Sequence, residues 1–227
     1  MQTRALSLKL GDMSSCDRKA VNIMVLKWVT VLLLTKVLFS IFSNYGDYFP
    51  PNFDADFLMG RELYFFGAYS LAFYVHILTT PCALLSGLVL MSEDFRRRFP
   101  AKHRLIGKLH VTGILLLVVP SSLWMSAYAN SGHVAGLGFA TLSLTTGLCV
   151  GMGWLRAIER NFKKHRYWMI RCFAMLCSAV VLRLFSGLAT VLIADAAWTY
   201  PLAAWAVWVV PLCGLELIEH FRQRQTV

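Results

Sequence analysis

The chain is 227 residues long, 57% hydrophobic and only 15% charged, with a formal net charge of +10. A water-soluble domain carries about 25% charged residues, so most of the surface of this chain must face lipid. The excess of positive charge invites nucleic acid as a partner, but the grouping of the basic residues, described below, excludes it.

Residues 1–20 are polar and lack the short apolar core of a secretory signal. They read as a cytoplasmic N-terminal tail carrying Arg4, Lys9, Arg18 and Lys19. Six apolar runs follow, near Val21–Phe42, Leu63–Met91, Leu105–Ala129, Ala135–Leu155, Trp168–Ala194 and Tyr200–Ile218. Each is long enough to cross a bilayer as a helix, which takes about 20 residues. The fold expected is therefore all-α: a polytopic membrane helical bundle of about six spans, one membrane domain over residues 1–227, ending in a cytoplasmic tail at 219–227.

Almost all of the 22 basic residues fall in the two tails and in the second-to-third and fourth-to-fifth connections. The long stretch Ser43–Glu62 on the other side has Arg61 alone against Asp47, Asp54, Asp56 and Glu62. By the positive-inside rule both termini lie in the cytoplasm, and the expected location is a bacterial inner membrane, multi-pass. The basic charge is then topological, with affinity for anionic lipid and none implied for nucleic acid. Membrane lipids are the expected partners, with a homo-oligomer or a larger membrane complex also open. The two basic connections repeat one pattern, R-x-x-x-K-H-R, at Arg98–Arg104 and Arg160–Arg166. The Tyr, Phe and Pro of Ser43–Glu62 suit a cap over the outer mouth of the bundle. Pro81 and Pro120, inside spans, should kink their helices and widen the space between neighbours.

Ionisable groups within spans are costly and usually functional. At 1.5 Å per residue, Lys36, His76 and Arg183 each fall roughly 22 Å from the inner edge. They form an expected polar layer of two cations and a histidine that would hold an anion. A second group, His103, His110 and His165, lies at the inner edge, with His110 about 7–8 Å deep. Transmembrane b-type haem needs neutral imidazoles on facing helices. The pairs available are His110 with His165 on the inner side and His76 with His133 on the outer, with His103 as a substitute in the inner pair. That alternation resembles the cytochrome b561 arrangement of two haems in a four-helix core.

Other chemistries find no motif. HExxH, GxSxG, Walker, GxGxxG and CxxC patterns are absent, and Glu216 and Glu219 alone do not make a metal site. The six cysteines, Cys16, Cys82, Cys149, Cys172, Cys177 and Cys213, lie in the tail or in spans and imply no disulfide framework. Gly132, Gly136 and Gly138, with Gly147, Gly151 and Gly153, have the small-residue spacing of close helix packing.

His76, Gly87, His103-Arg104 with Gly107, the run His165-Arg166-Tyr167-Trp168-Met169-Ile170-Arg171, and Leu182-Arg183 resemble a group of uncharacterised bacterial predicted membrane proteins, domain of unknown function 2306. The resemblance covers Phe73–Ser186, a four-helix core. It departs at Cys172, where that family usually has serine. It implies one shared site made by His76, His103, His165, Arg171 and Arg183.

Three functional readings follow. One is a small b-type haem or quinone redox protein, with His76, His103, His110 and His165 as cofactor ligands and Lys36, Arg171 and Arg183 holding anionic groups. The second is a transporter or a lipid- or anion-binding protein. The third is an accessory or assembly subunit of a membrane complex. No residue is assigned a catalytic role, and whether the protein is an enzyme is left open.

Overall fold

The computed structural model describes residues 15–55, 57–129, 132–191 and 198–224. Arg4, Lys9, Asp56, Asp195 and the last residues of the predicted span Trp168–Ala194 lie outside the described residues. Two compact units form, Met1–Pro51 and Asn52–Val227. The first holds one long helix, α1 (Ser15–Ser43), and a 3-10 turn, Asn44–Asp47. α1 covers the predicted span Val21–Phe42 and extends into the stretch read as tail.

The second unit is all helix among the described residues. It begins with the short α2 (Glu62–Phe65), then α3 (Ala68–Met91) and α4 (Glu93–Arg98). A long helix follows in three parts: α5 (Pro100–Gly113), one π turn (Ile114–Val118) and α6 (Val119–Ser126). α7 (His133–Ile158), α8 (Phe162–Val191) and α9 (Thr199–Arg224) complete it. α9 carries the helix through residues 219–224, read from sequence as tail. Among the described residues, five helices are long and apolar enough to cross a membrane: α3, α5–α6, α7, α8 and α9.

Packing follows membrane rules. Between 22% and 39% of each apolar window is buried inside the bundle, and large side chains such as Leu116, Leu137 and Val210 stand exposed. A surface of that kind is stable only against lipid. Lipid gives little hydrophobic drive for helices to associate, so close contact and hydrogen bonds must do it. The glycines supply the contact. A Cβ on Gly136 would lie 2.7 Å from the Ser126 carbonyl oxygen, and one on Gly138 would lie 3.0 Å from Trp205 Nε1. Gly147 packs on Val119 and Gly153 on Met169, while nothing approaches Gly151. Trp205 Nε1 donates to the Val134 carbonyl at 3.1 Å, tying α9 to α7. Met175, Ala203, Val207 and Trp208 form a buried apolar cluster between α8 and α9.

α3 packs on α5–α6 and on α8, α6 on α7, and α7 and α8 on each other and on α9. The helices thus connect as α3, α6, α7 and α8 in turn, with α9 packed on both α7 and α8. The two R-x-x-x-K-H-R motifs take the same place in their helices. Lys102, His103 and Arg104 are residues three to five of α5, and Lys164, His165 and Arg166 are residues three to five of α8. Ser92 caps α4 by accepting from Phe95 N–H at 3.3 Å. Asn161 caps α8 by accepting from Lys164 N–H at 3.2 Å. Arg160, at φ 58°, closes α7 with a bond from Asn161 N–H to the Arg156 carbonyl at 2.9 Å, a place usually given to glycine. The motifs share one end of the bundle. Arg97 bonds Glu93 and holds its carboxyl below the usual glutamate range, and Arg96 and Arg166 add to the effect.

Candidate functional site

Five helices and the loop before α3 line a pocket of about 230 Å³. It begins at the end of the bundle opposite the basic motifs. There, Arg61 lies 3% exposed beneath the loop that precedes α3. Its Nε donates to the Phe57 carbonyl at 2.7 Å, and one terminal nitrogen donates to Tyr69 Oη at 3.0 Å, the Tyr128 carbonyl at 2.9 Å and Tyr64 Oη at 3.2 Å. The guanidinium also sits 4.8 Å from the centre of the Phe57 ring. Phe57 stacks on Phe73, and Tyr64 stacks on Tyr128. One arginine thus joins the loop, the start of α3 and the end of α6. Of the stretch expected to cap the bundle, Phe57 and Arg61 stand at this end of the pocket.

The wall then descends. α3 contributes Tyr69, His76 and Thr80, which span about 16 Å along the helix. α6 adds Ser122, Met125 and Ser126, and α7 adds Phe139, Leu142, Ser143 and Thr146. α8 gives Met175, Ser178 and Leu182, and α9 gives Tyr200 and Val207. The space is long, narrow and mostly apolar, with a few polar groups at fixed heights.

The π turn aims one of those groups. Val119 N–H bonds to the Ile114 carbonyl, five residues back, just before Pro120, which has no N–H to give. Ser121 Oγ donates to the Leu117 carbonyl at 2.6 Å. Past the turn, Ser122 Oγ lies 3.0 Å from His76 Nδ1. Thr80 Oγ1 is 3.4 Å from the same nitrogen. His76 is thereby fixed between α3 and α6, with its ring on the cavity.

The other expected site residues are distributed around the bundle. Lys36 is exposed on α1, in the first unit. Arg183 is exposed on α8. It follows Leu182, a wall residue, and one residue turns a helix by about 100°, so its side chain leaves the cavity. Of the expected Lys36–His76–Arg183 layer, the cavity takes His76. Arg171 is buried, and its Nε donates to Glu216 Oε1 at 2.6 Å. Its guanidinium carbon lies 3.2 Å from the centre of the Tyr167 ring, and Nη2 has no protein partner. The anion that Arg171 holds is thus a carboxylate of α9.

Among the inner histidines, His110 is buried with Nδ1 2.8 Å from Ser86 Oγ. Its ring packs by Gly87 and Phe173. His165 Nδ1 donates to the Gly153 carbonyl at 2.8 Å, across the α7–α8 hairpin. His103, its counterpart in the repeated motif, has a buried Nδ1 with no partner. His133 is the exposed first residue of α7. The described cysteines, Cys82, Cys149, Cys172, Cys177 and Cys213, are free. Among the described residues no three His, Cys, Asp or Glu side chains meet as a metal site.

Arg61, Tyr69, Tyr200, Ser143 and Thr146 were not singled out by the sequence. The one signal for Arg61 was its isolation, as the lone basic residue in an acidic, aromatic loop that the positive-inside rule leaves without arginine.

The fold and its exposed apolar belt define a multi-pass integral membrane protein, an all-α helical bundle. The chain belongs to the family described as predicted membrane protein (DUF2306), whose family model matches residues 73–218. The match reaches α9, beyond the four helices that carried the resemblance in sequence. No curated protein and no solved structure matches the chain.

Proposed function

We propose that this protein binds a small amphipathic molecule inside the membrane, in the cavity between Arg61 and Thr146, and so transports or senses it. The observation that carries this is a buried arginine at one end of an apolar, five-helix cavity whose polar groups are few and fixed, the pattern of ligand sites in general. Tyr69 Oη accepts from Arg61, which leaves its own hydrogen for the ligand. The ligand head is therefore a hydrogen-bond acceptor, set in the positive potential of Arg61, and its apolar body lies against Met125, Leu142 and Met175. A carboxylate or a quinone carbonyl meets that description. By the positive-inside rule the Arg61 end faces away from the cytoplasm, and the membrane is the bacterial inner membrane.

The test is thermal unfolding of the purified chain in detergent with hexanoate, hexanol and a short-chain quinone. At least one should raise the melting temperature of the wild type and fail to do so in Arg61→Ala or Tyr69→Phe. No stabilisation by any of the three would overturn the reading.

A second reading is the haem protein, and the His165–Gly153 contact favours it. A carbonyl only accepts, so Nδ1 of His165 carries the proton and Nε2 keeps a lone pair, the arrangement in which histidines commonly bind metal. His110, with Nδ1 engaged by Ser86, is its partner helix for helix. A Soret band in protein expressed with added haem, lost in His165→Ala, is the expected result. Its absence would remove this reading and leave the first intact.

A further inference from the structure

At the Arg61 end Tyr69 and Tyr200 bring hydroxyls to the cavity wall. Deeper, two hydroxyls of α7 are committed to their own helix. Ser143 Oγ donates to the Phe139 carbonyl at 3.0 Å, and Thr146 Oγ1 donates to the Leu142 carbonyl at 2.7 Å. Both residues are buried and both line the cavity. A hydroxyl has one hydrogen and two lone pairs. With the hydrogen spent on its own helix, each of these oxygens can only accept. They lie three residues apart on one face of α7, so they form a small acceptor belt.

The height of that belt follows from the packing. Tyr200 meets Phe139 edge-on, with ring centres 5.9 Å apart. Ser143 and Thr146 lie four and seven residues beyond Phe139, or roughly 6–10 Å deeper. Among the described residues the cavity wall carries no carboxylate. A buried ammonium there would have no counter-charge, which is expensive. A neutral donor meets no such cost.

We infer that the ligand is bipolar: an acid or carbonyl head at the Tyr69 end and a hydroxyl roughly 6–10 Å away that donates to Ser143 and Thr146. The class is a short hydroxylated carboxylic acid or its carbonyl equivalent. This rests on the ligand-binding reading above and narrows it. A plain fatty acid would leave the belt unpaired, and an amino acid would bury an uncompensated charge.

The probes are hexanoate, 6-hydroxyhexanoate and 6-aminohexanoate, titrated into the full chain in detergent by calorimetry. The hydroxy acid should bind about three- to tenfold tighter than hexanoate, the effect of one net hydrogen bond. The amino acid should bind more weakly than both. Ser143→Ala combined with Thr146→Val should erase the preference for the hydroxyl. Thr146→Ser keeps the acceptor and should keep the preference, which separates lost contact from lost fold. Equal binding of hexanoate and 6-hydroxyhexanoate, with both sensitive to Arg61→Ala, overturns the bipolar ligand and leaves the cavity reading standing. A hydroxyl preference that survives the double variant also overturns it. Binding of neither acid overturns both.

Discussion

Replacing Glu216 with alanine should destabilise the bundle more than replacing Arg171 with methionine, although the two residues form one ion pair. The reason is burial. The Arg171 side chain is 6% exposed and that of Glu216 is 49% exposed. Removing one member of a buried pair costs about 3–5 kcal/mol, because the other charge is stranded. Glu216→Ala strands Arg171, whose Nη2 already lacks a partner and whose remaining support is the Tyr167 ring and carbonyl. A loss near the lower end, about 3 kcal/mol, is expected. Arg171→Met leaves a half-exposed carboxylate free to turn to water or headgroups, and fills the buried space with an apolar chain. That change should cost about 1 kcal/mol, as for an exposed pair. The double variant should lie close to Arg171→Met, since no charge remains stranded. For a chain of this length each kcal/mol moves the melting temperature by roughly 2–4 °C. Melting of the four proteins in one detergent, followed by tryptophan fluorescence, decides the matter. The reasoning is refuted if Arg171→Met melts below Glu216→Ala, or if the double variant shows the sum of both losses.

Further expectations concern the backbone and the buried polar groups. Gly136→Ala places a methyl 2.7 Å from a backbone oxygen of α6, so overpacking of about 1–3 kcal/mol should outweigh the gain of about 1 kcal/mol in helix propensity. Gly153→Ala meets Met169 Sδ at 2.6 Å and Cγ at 3.2 Å, in a flexible side chain rather than backbone, and should cost less than Gly136→Ala in the same melting assay. Arg160→Gly should stabilise by about 1 kcal/mol, because the residue stands in the left-handed region at φ 58°. Ser86→Ala removes the hydrogen-bond partner of the buried His110 Nδ1 and should cost about 1–3 kcal/mol. Glu93 titrates below an ordinary glutamate because Arg97 bonds it. Whatever its pairing contributes is therefore present above the unfolded pKa and lost only as pH falls through the lower folded value. Protection factors over residues 93–98, corrected for intrinsic exchange, should not change between neutral pH and about pH 5.

The spans were legible because a run of apolar residues long enough for a bilayer has few other fates. The height of His76 along its helix was legible too, since rise along a helix is fixed. Direction around the helix was not. Arg183 and Leu182 differ by one residue in sequence and by about 100° in space, and only the neighbours decide which of them meets the cavity. His110 illustrates the opposite case. Its helix starts at Pro100, earlier than the apolar run, yet Ser86, its partner, lies five residues from the end of α3. That places His110 about 7–8 Å from the Met91 end of α3. The place of Arg61 at the cavity was not legible, because it depends on long-range partners, Tyr69 and Tyr128, that no local pattern reveals.

The π turn at Ile114–Val118 has a consequence for how this helix tolerates change. It accommodates one residue more than an α-helix would between two fixed ends, His110 against Ser86 and Ser122 against His76. Deleting one residue there would leave regular helix between the same two ends, whereas inserting one more would swing everything beyond it by about 100°. Ser122 and Ser126 would then face hydrocarbon, and Leu-rich surface would fill the cavity. Side chains within 114–118 can be exchanged for others of similar bulk at modest cost, whereas the number of residues there is a dimension of the site itself.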